Sequence, residues 1–166
     1  MQLLLDTHVL LWSLAGDERL GERAADIIED GRNVVYVSAA SIWEISIKRS
    51  IGKLRLPGDV LAEVDAASFT RLAISFEHAD AVASLPDLHA DPFDRMLVAQ
   101  ASIDRLVLMT HDPLVLQYGV DTFEVGVSTL WVASEYSTCS VDALPSGSRT
   151  SSASNGSLGC SDIHPG

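Results

Sequence analysis

Residues 1–12, MQLLLDTHVLLW, and residues 106–113, LVLMTHDP, decide the fold between them. Each carries an unbroken apolar run, residues 3–5 and 106–109, and soon meets an acid, Asp6 in the first and Asp112 in the second. A continuous apolar run, as opposed to an alternating one, marks a strand covered on both faces, as at the centre of a parallel sheet. Residues 2–6 and 106–110 are therefore read as buried strands. Working outward, helical patterns are expected over 7–14 and 20–30, the second stopped by Gly31. A strand is expected over 34–37, then a helix capped by Ser38, running to Ser50 and stopped by Gly52.

Beyond the Pro57-Gly58 turn the spacing predicts a helix over 59–67, a short strand over 71–74 and a helix over 75–84. Residues 86–90 read as a loop. Asp91-Pro92 then opens the best-marked helix, running to Asp104, because proline at the first helical position after an Asp cap is a strong start signal. His111-Asp112-Pro113 repeats that pattern ahead of a short helix ending near Tyr118-Gly119, and residues 122–127 supply an edge strand. Strands alternating with helices give an α/β fold with a mainly parallel central sheet. In such sheets ligands bind beyond the strands' carboxyl ends, at the switch in strand order. Asp6 and Asp112 stand at two such ends.

Two further acids fall on apolar helix faces. Glu44 shares a stripe with Ala40, Ile47 and Ile51, and Asp94 with Leu97, Val98 and Ala101. Carboxylates on buried faces are rare without compensation. Each of the four has an ordinary explanation. Asp6 and Asp112 can cap the helices that follow, Asp94 can close a capping box with Asp91, and Glu44 can pair with Lys48 at i+4. Those explanations leave open why all four point to one end of one sheet. Two carboxylates about 5 Å apart repel by about 3 kcal/mol at an effective dielectric near 20. A converging quartet must hold protons or recruit cations. Mg²⁺ or Mn²⁺ suits such oxygen donors, and phosphodiester hydrolysis is the chemistry such an ion serves. His8 and His111 adjoin the acids and are read as polar residues at helix starts or as phosphate contacts.

Composition narrows the classes. With 166 residues and 47% hydrophobic content there is material for one substantial core. No apolar run reaches the ~18 residues of a membrane span. The N-terminal stretch lacks a basic region, so no signal peptide is expected and a cytoplasmic location is. The net charge is −12, with residues 1–130 carrying 20 acids and 10 bases. Lys48, Arg49, Lys53 and Arg55 cluster within eight residues, a candidate RNA-binding segment on an otherwise acidic protein. A basic protein partner fits that acidity equally well. Cys139 and Cys160 form neither a disulfide framework nor a zinc pattern. No phosphate-binding glycine loop, dinucleotide fingerprint or serine elbow is present, and a phosphoaspartyl hydrolase would carry a second acid two residues after Asp6. Residues 133–166 hold ten serines with Gly, Pro and Thr and no periodicity, and are expected to be a disordered tail behind a domain of residues 1–132.

The segments LLLDTHVLLWSLAGDERL, YVSAASIWEISIKRSIGKLRLP, HADPFDRMLVAQA and LVLMTHDPLVLQYGV, in that order, resemble the PIN-domain family, in particular the VapC-like toxins of toxin–antitoxin pairs. The resemblance covers residues 1–132, and the serine-rich remainder has no counterpart in it. It implies a three-layer α/β/α sandwich around a parallel sheet and a metal-dependent endoribonuclease site. By position, Asp6, Glu44, Asp94 and Asp112 match the family's acids, Thr110 a hydroxyl often near the metal, and Asp91 a supporting group or only the helix cap. It further implies one or two Mg²⁺ or Mn²⁺ ions, single-stranded or loop RNA as substrate, 5′-phosphate and 3′-hydroxyl products, a cognate antitoxin and a homodimer. Two other readings stand beside it: a catalytically silent PIN-like module binding a basic partner through its acidic groove, and a phosphomonoesterase.

Overall fold

Leu3, Leu4 and Leu5 are wholly buried, which requires protein on both faces of the strand they form. Burial of each contributes about 1.5–3 kcal/mol. In the computed structural model, which describes residues 1–126 apart from residue 57, that strand is β1 (Gln2–Leu5) at the centre of a five-stranded sheet. The boundary at residue 132, the expected tail, Cys139, Cys160 and the last residue of the 122–127 strand lie outside the described residues.

The elements follow as α1 (Thr7–Ala15), α2 (Glu22–Glu29), β2 (Val34–Ser38), α3 (Ala39–Ser50), α4 (Val60–Ala66), β3 (Thr70–Leu72), α5 (Phe76–Ala81), α6 (Pro92–Asp104), β4 (Val107–Thr110) and β5 (Thr122–Glu124). The sheet order is β3-β2-β1-β4-β5, and every pairing is parallel. Leu5 lies opposite Val37 on one side and Met109 on the other. The chain thus builds the sheet outward from β1 in one direction, then returns to β1's other edge with β4. The switch in strand order falls between β1 and β4, with Asp6 N–H bonded to Met109 O at 3.0 Å across it.

Successive side chains of β1 point to opposite faces, so the sheet separates two cores. Leu3 and Leu5 pack with Val9 and Leu10 of α1, Ala24 and Ile28 of α2, and Val60 and Val64 of α4. Leu4 and Leu108 pack with Leu97, Val98 and Ala101 of α6. The result is an α/β/α sandwich. Its third helix contributes to both cores, Ile45 to the first and Ala40 to the second.

Several expected elements are shorter or divided. The helix expected over 20–30 is a 3₁₀ turn (Glu18–Leu20) followed by α2, because Gly21, at φ 73°, interrupts the helical path; α2 closes at Asp30, not Gly31. The helix expected over 75–84 is α5 plus a 3₁₀ turn (Val82–Ser84). Past Pro113 there is only a 3₁₀ turn (Val115–Gln117), and the strand expected over 71–74 is Thr70–Leu72. Among the described residues no helix is long and apolar enough to cross a membrane.

Candidate metal centre

The β1–β4 switch point is where the site is built. Asp6 follows β1 and caps α1, its Oδ1 accepting the His8 N–H at 2.6 Å. Its Oδ2 accepts the Thr110 hydroxyl at 2.6 Å, at the end of β4. The Thr110 Oγ1 in turn accepts the Asp112 N–H at 3.0 Å. One threonine therefore ties the first acid to the loop of the last, 104 residues away. Asp112 also caps locally, with Oδ1 accepting the Leu114 N–H at 2.7 Å, so its expected capping role is real although no α-helix follows.

Glu44 and Asp94 arrive from α3 and α6. Asp94 stands at the head of Leu97, Val98 and Ala101, all buried, as its spacing predicts. Glu44 is only 4% exposed, yet Ile47 and Ile51, expected on the same buried stripe, are exposed. The buried face of α3 is Ala40, Ser41, Glu44 and Ile45, confined to its first half, where it packs on α1 and α6. Glu44 is compensated by the Lys48 ammonium at i+4. That pairing removes Lys48 from the exposed basic segment; Arg49, Lys53 and Arg55 are exposed and form no ion pair among the described residues.

The residue the sequence reading passed over is His89. Its Nε2 lies 3.3 Å from Asp94 Oδ2 and 3.3 Å from Asp112 Oδ2. Its Nδ1 accepts the Asp91 N–H at 2.9 Å, so in the neutral ring the proton sits on Nε2 and faces both carboxylates. The local half of this arrangement was legible: a histidine two residues ahead of a helix cap can accept the cap's N–H. The long-range half was not. The loop that carries His89 is pinned by Arg95, which donates to the carbonyls of Pro86 (2.8 Å), Val82 (3.0 Å) and Leu85 (3.2 Å). The Tyr118 hydroxyl accepts the His89 N–H at 3.1 Å. Asp91 caps α6 through the Phe93 N–H at 2.8 Å and closes no capping box with Asp94, since its own N–H is taken by His89.

Charge crowding is visible in the titration of these groups. The Asp94 carboxyl is pushed up to about 7, first by burial, then by Asp91 and Asp6, with Glu44 adding and His89 opposing. Burial raises Asp112 too, but the Leu114 N–H and the His89 hydrogen bond outweigh it and hold it below the usual carboxylate value. Asp6 is thus linked to the Asp112 loop through Thr110, Asp112 to Asp94 through His89, and Asp6, Asp91 and Glu44 are near enough to Asp94 to act on its charge. The Thr7 and Ser41 hydroxyls, buried beside or one turn before two of these acids, have no hydrogen-bond partner among the described residues. Oxygen donors in excess, one carboxyl starved of compensation and no thiolate among them suit a hard divalent cation such as Mg²⁺ or Mn²⁺.

Comparison with known proteins bears on the fold and the family. No curated protein matches the chain by sequence. Among solved structures, the chain is similar to VapBC2 from Rickettsia felis bound to a DNA fragment from their promoter, at 11% identity over 75% of this chain and 99% of that one, with a TM-score of 0.59. It is similar also to DNA-bound VapBC from Salmonella typhimurium, at 16% identity over 75% of this chain and 98% of that one, with a TM-score of 0.54. At these identities the likeness is one of fold. The family model of the PIN domain matches residues 3–119, a span that takes in all four acids, and PIN domains are typically nucleases that use divalent metal ions. The chain belongs to the PIN domain family.

Proposed function

We propose that this protein is a Mg²⁺- or Mn²⁺-dependent endoribonuclease, the toxin of a toxin–antitoxin pair, acting on single-stranded or loop RNA in the cytoplasm. The observation that carries the reading is the linkage of acids at the β1–β4 switch: Thr110 ties Asp6 to the Asp112 loop, His89 lies 3.3 Å from both Asp112 and Asp94, and burial with Asp91, Asp6 and Glu44 nearby raises the Asp94 carboxyl to about 7. Such a group needs a cation to ionise fully at neutral pH.

Asp6, Glu44, Asp94 and Asp112 would hold the ion. When bound, it supplies Lewis acidity, making water a better nucleophile near neutral pH and offsetting charge on the phosphate. Thr110 fixes the Asp6 carboxylate by donating to Oδ2, leaving Oδ1 to His8 N–H and the site. Asp91 holds the start of α6 and raises the proton affinity of Asp94. His89 presents an N–H to Asp94 and Asp112 and steadies both carboxylates, an orienting role of the kind that second-layer groups play around metals. Hydrolysis by water leaves a 5′-phosphate and a 3′-hydroxyl. Arg49, Lys53 and Arg55 are the exposed bases available to guide RNA, with Lys48 retained on Glu44.

The toxin reading draws support from the likeness in fold to chains of VapBC complexes and from exposed apolar side chains near the site. Trp43, at 60% exposure, stacks edge-on against Phe93 (5.2 Å between centroids), and Ile51 is also exposed. An apolar strip of that kind suits a protein partner, here a cognate antitoxin or the second copy in a homodimer.

A second reading has an observation of its own. The net charge of −12 and the engagement of Lys48 leave few bases for RNA, which favours a silent module binding a basic partner. Cleavage of a panel of structured RNAs by purified protein, with and without EDTA, separates the two. Metal-dependent cleavage abolished by Asp94→Asn in a folded protein is the expected result. Undiminished cleavage by that variant sinks the site, and no cleavage under any metal favours the silent module.

A further inference from the structure

Two histidines at the β1–β4 switch have no part in the phosphodiester chemistry proposed above. His8, in the first turn of α1, and His111, just past β4, approach Asp6 so that one nitrogen of each ring and one carboxylate oxygen lie within 4.8 Å of one another. The two rings meet edge to face with centroids 5.2 Å apart. His111 rests on Trp12 at 4.6 Å, and Trp12 is held from above by the Arg19 guanidinium at 5.2 Å. Among the described residues neither imidazole has a hydrogen-bond partner for its ring nitrogens; the nearest approach, His8 Nδ1 to Asp6 Oδ1, is 3.8 Å.

We propose that His8, His111 and Asp6 form a binding site for a borderline transition-metal dication of the zinc class, adjoining the oxygen pocket of Glu44, Asp94 and Asp112 and sharing Asp6 with it. Two imidazoles and one carboxylate with an open, solvent-facing side are the donor set such ions take, and one that Mg²⁺ does not favour. Ligand atoms around a tetrahedral ion of this class sit about 3.4 Å apart, given metal–ligand bonds of 2.0–2.2 Å. His8 is half exposed and His111 exposed, so modest side-chain rotation closes the remaining gap. Asp6 is already oriented by Thr110, and His111 by Trp12, so part of the ordering cost is met before the ion arrives.

The contrast with His89 is what makes the assignment specific. His89, Asp94 and Asp112 also lie within 4.8 Å of one another. There the ring is committed: Nδ1 faces the Asp91 N–H, the proton is left on Nε2, and that nitrogen has no lone pair to offer an ion. His8 and His111 carry no such commitment. Asp6 belongs to both groups, so occupancy of the histidine site draws a ligand from the hard-cation pocket.

The test uses the full chain in an Asp94→Asn background, which weakens the oxygen pocket, and Co²⁺ as a coloured stand-in for Zn²⁺. Titration followed by calorimetry and visible absorption is expected to show an equivalent of ion with imidazole ligation. Adding His8→Gln and His111→Gln is expected to remove that equivalent or weaken it by at least about tenfold, with the fold retained by circular dichroism. Cys139, Cys160 and His164 are common to every protein compared, so the difference reads the proposed site. Retention of the same stoichiometry and affinity by the double-histidine variant overturns the proposal, as does absence of Co²⁺ binding by the Asp94→Asn parent. RNA enters nowhere in this measurement, so its outcome is independent of the nuclease reading.

Discussion

The helices α3 and α6 each deliver one acid to the switch point, and they do so by opposite means. On α6 the acid heads a stripe that is buried throughout, and burial first, then the charges of Asp91 and Asp6, push its carboxyl up to about 7 against the opposing His89. On α3 the acid is more deeply buried, yet it carries its own cation, Lys48, one turn on, and the helix surface beyond it turns to solvent. One acid thus keeps its proton to near neutral pH; the other is held as an ion pair. Gln100 couples the two helices. Its Oε1 accepts the Ser38 hydroxyl at 2.5 Å, the same Ser38 that caps α3, and its Nε2 donates to Ala73 O at 3.2 Å.

That contrast can be broken at several points. The largest effect is expected from Asp94→Asn, a loss of RNA cleavage of more than about 100-fold with the fold retained by circular dichroism. Next, because the folded Asp94 value is raised, a metal ion must displace a proton below about pH 7. Apparent Mn²⁺ affinity, read by calorimetry, is expected to climb with pH by up to about tenfold per unit until Asp94 ionises freely, then level off. By the same sign, the stability linked to Asp94 is fully present below its ordinary value of 3.8 and is lost as pH rises from there through about 7, beyond which it changes no further. Metal-free protein should therefore melt lower at the alkaline end, and Asp94→Asn should flatten that slope.

Smaller effects probe α3. Lys48→Met leaves the buried Glu44 carboxylate without its partner and is expected to cost about 1–3 kcal/mol in metal-free denaturation, with Mn²⁺ recovering much of it. A Lys48→Met protein as stable without metal as the parent would show that Glu44 is not held as an ion pair. Gln100→Leu strands the Ser38 hydroxyl and the Ala73 carbonyl, and about 1–3 kcal/mol is again the expected loss. The smallest change is expected from Ile47→Lys: on the exposed face it should stay within about 0.5 kcal/mol, whereas a true core stripe would lose several times that.

The fold was largely legible because its signals are local. Continuous apolar runs at residues 3–5 and 106–109, the Ser38 cap and the Asp91-Pro92 start each act within a few residues, and each sits where expected. What failed was also local in form but settled elsewhere. Periodicity placed Ile47 and Ile51 on the Glu44 stripe, yet periodicity says only which residues share a face, and α3 leaves its neighbours after its first half. Pro113 signalled a helix, and the chain makes only a 3₁₀ turn before β5. His89 carried a weak signal, since its bond to Asp91 is two residues long while its partner Asp112 is 23 residues away.

The amino-acid order alone determined the alternation of strands and helices, the parallel sheet and the positions of two acids at strand ends and two on helices, since caps, apolar runs and helical spacing act over a turn or two. Only the tertiary structure decided what those acids face. The strand order β3-β2-β1-β4-β5 sets Asp6 beside Thr110, brings His89 between Asp94 and Asp112 and leaves His8 and His111 uncommitted. Charge compensation depends on distances between residues far apart in the chain, and those distances exist only once both cores have closed on the sheet.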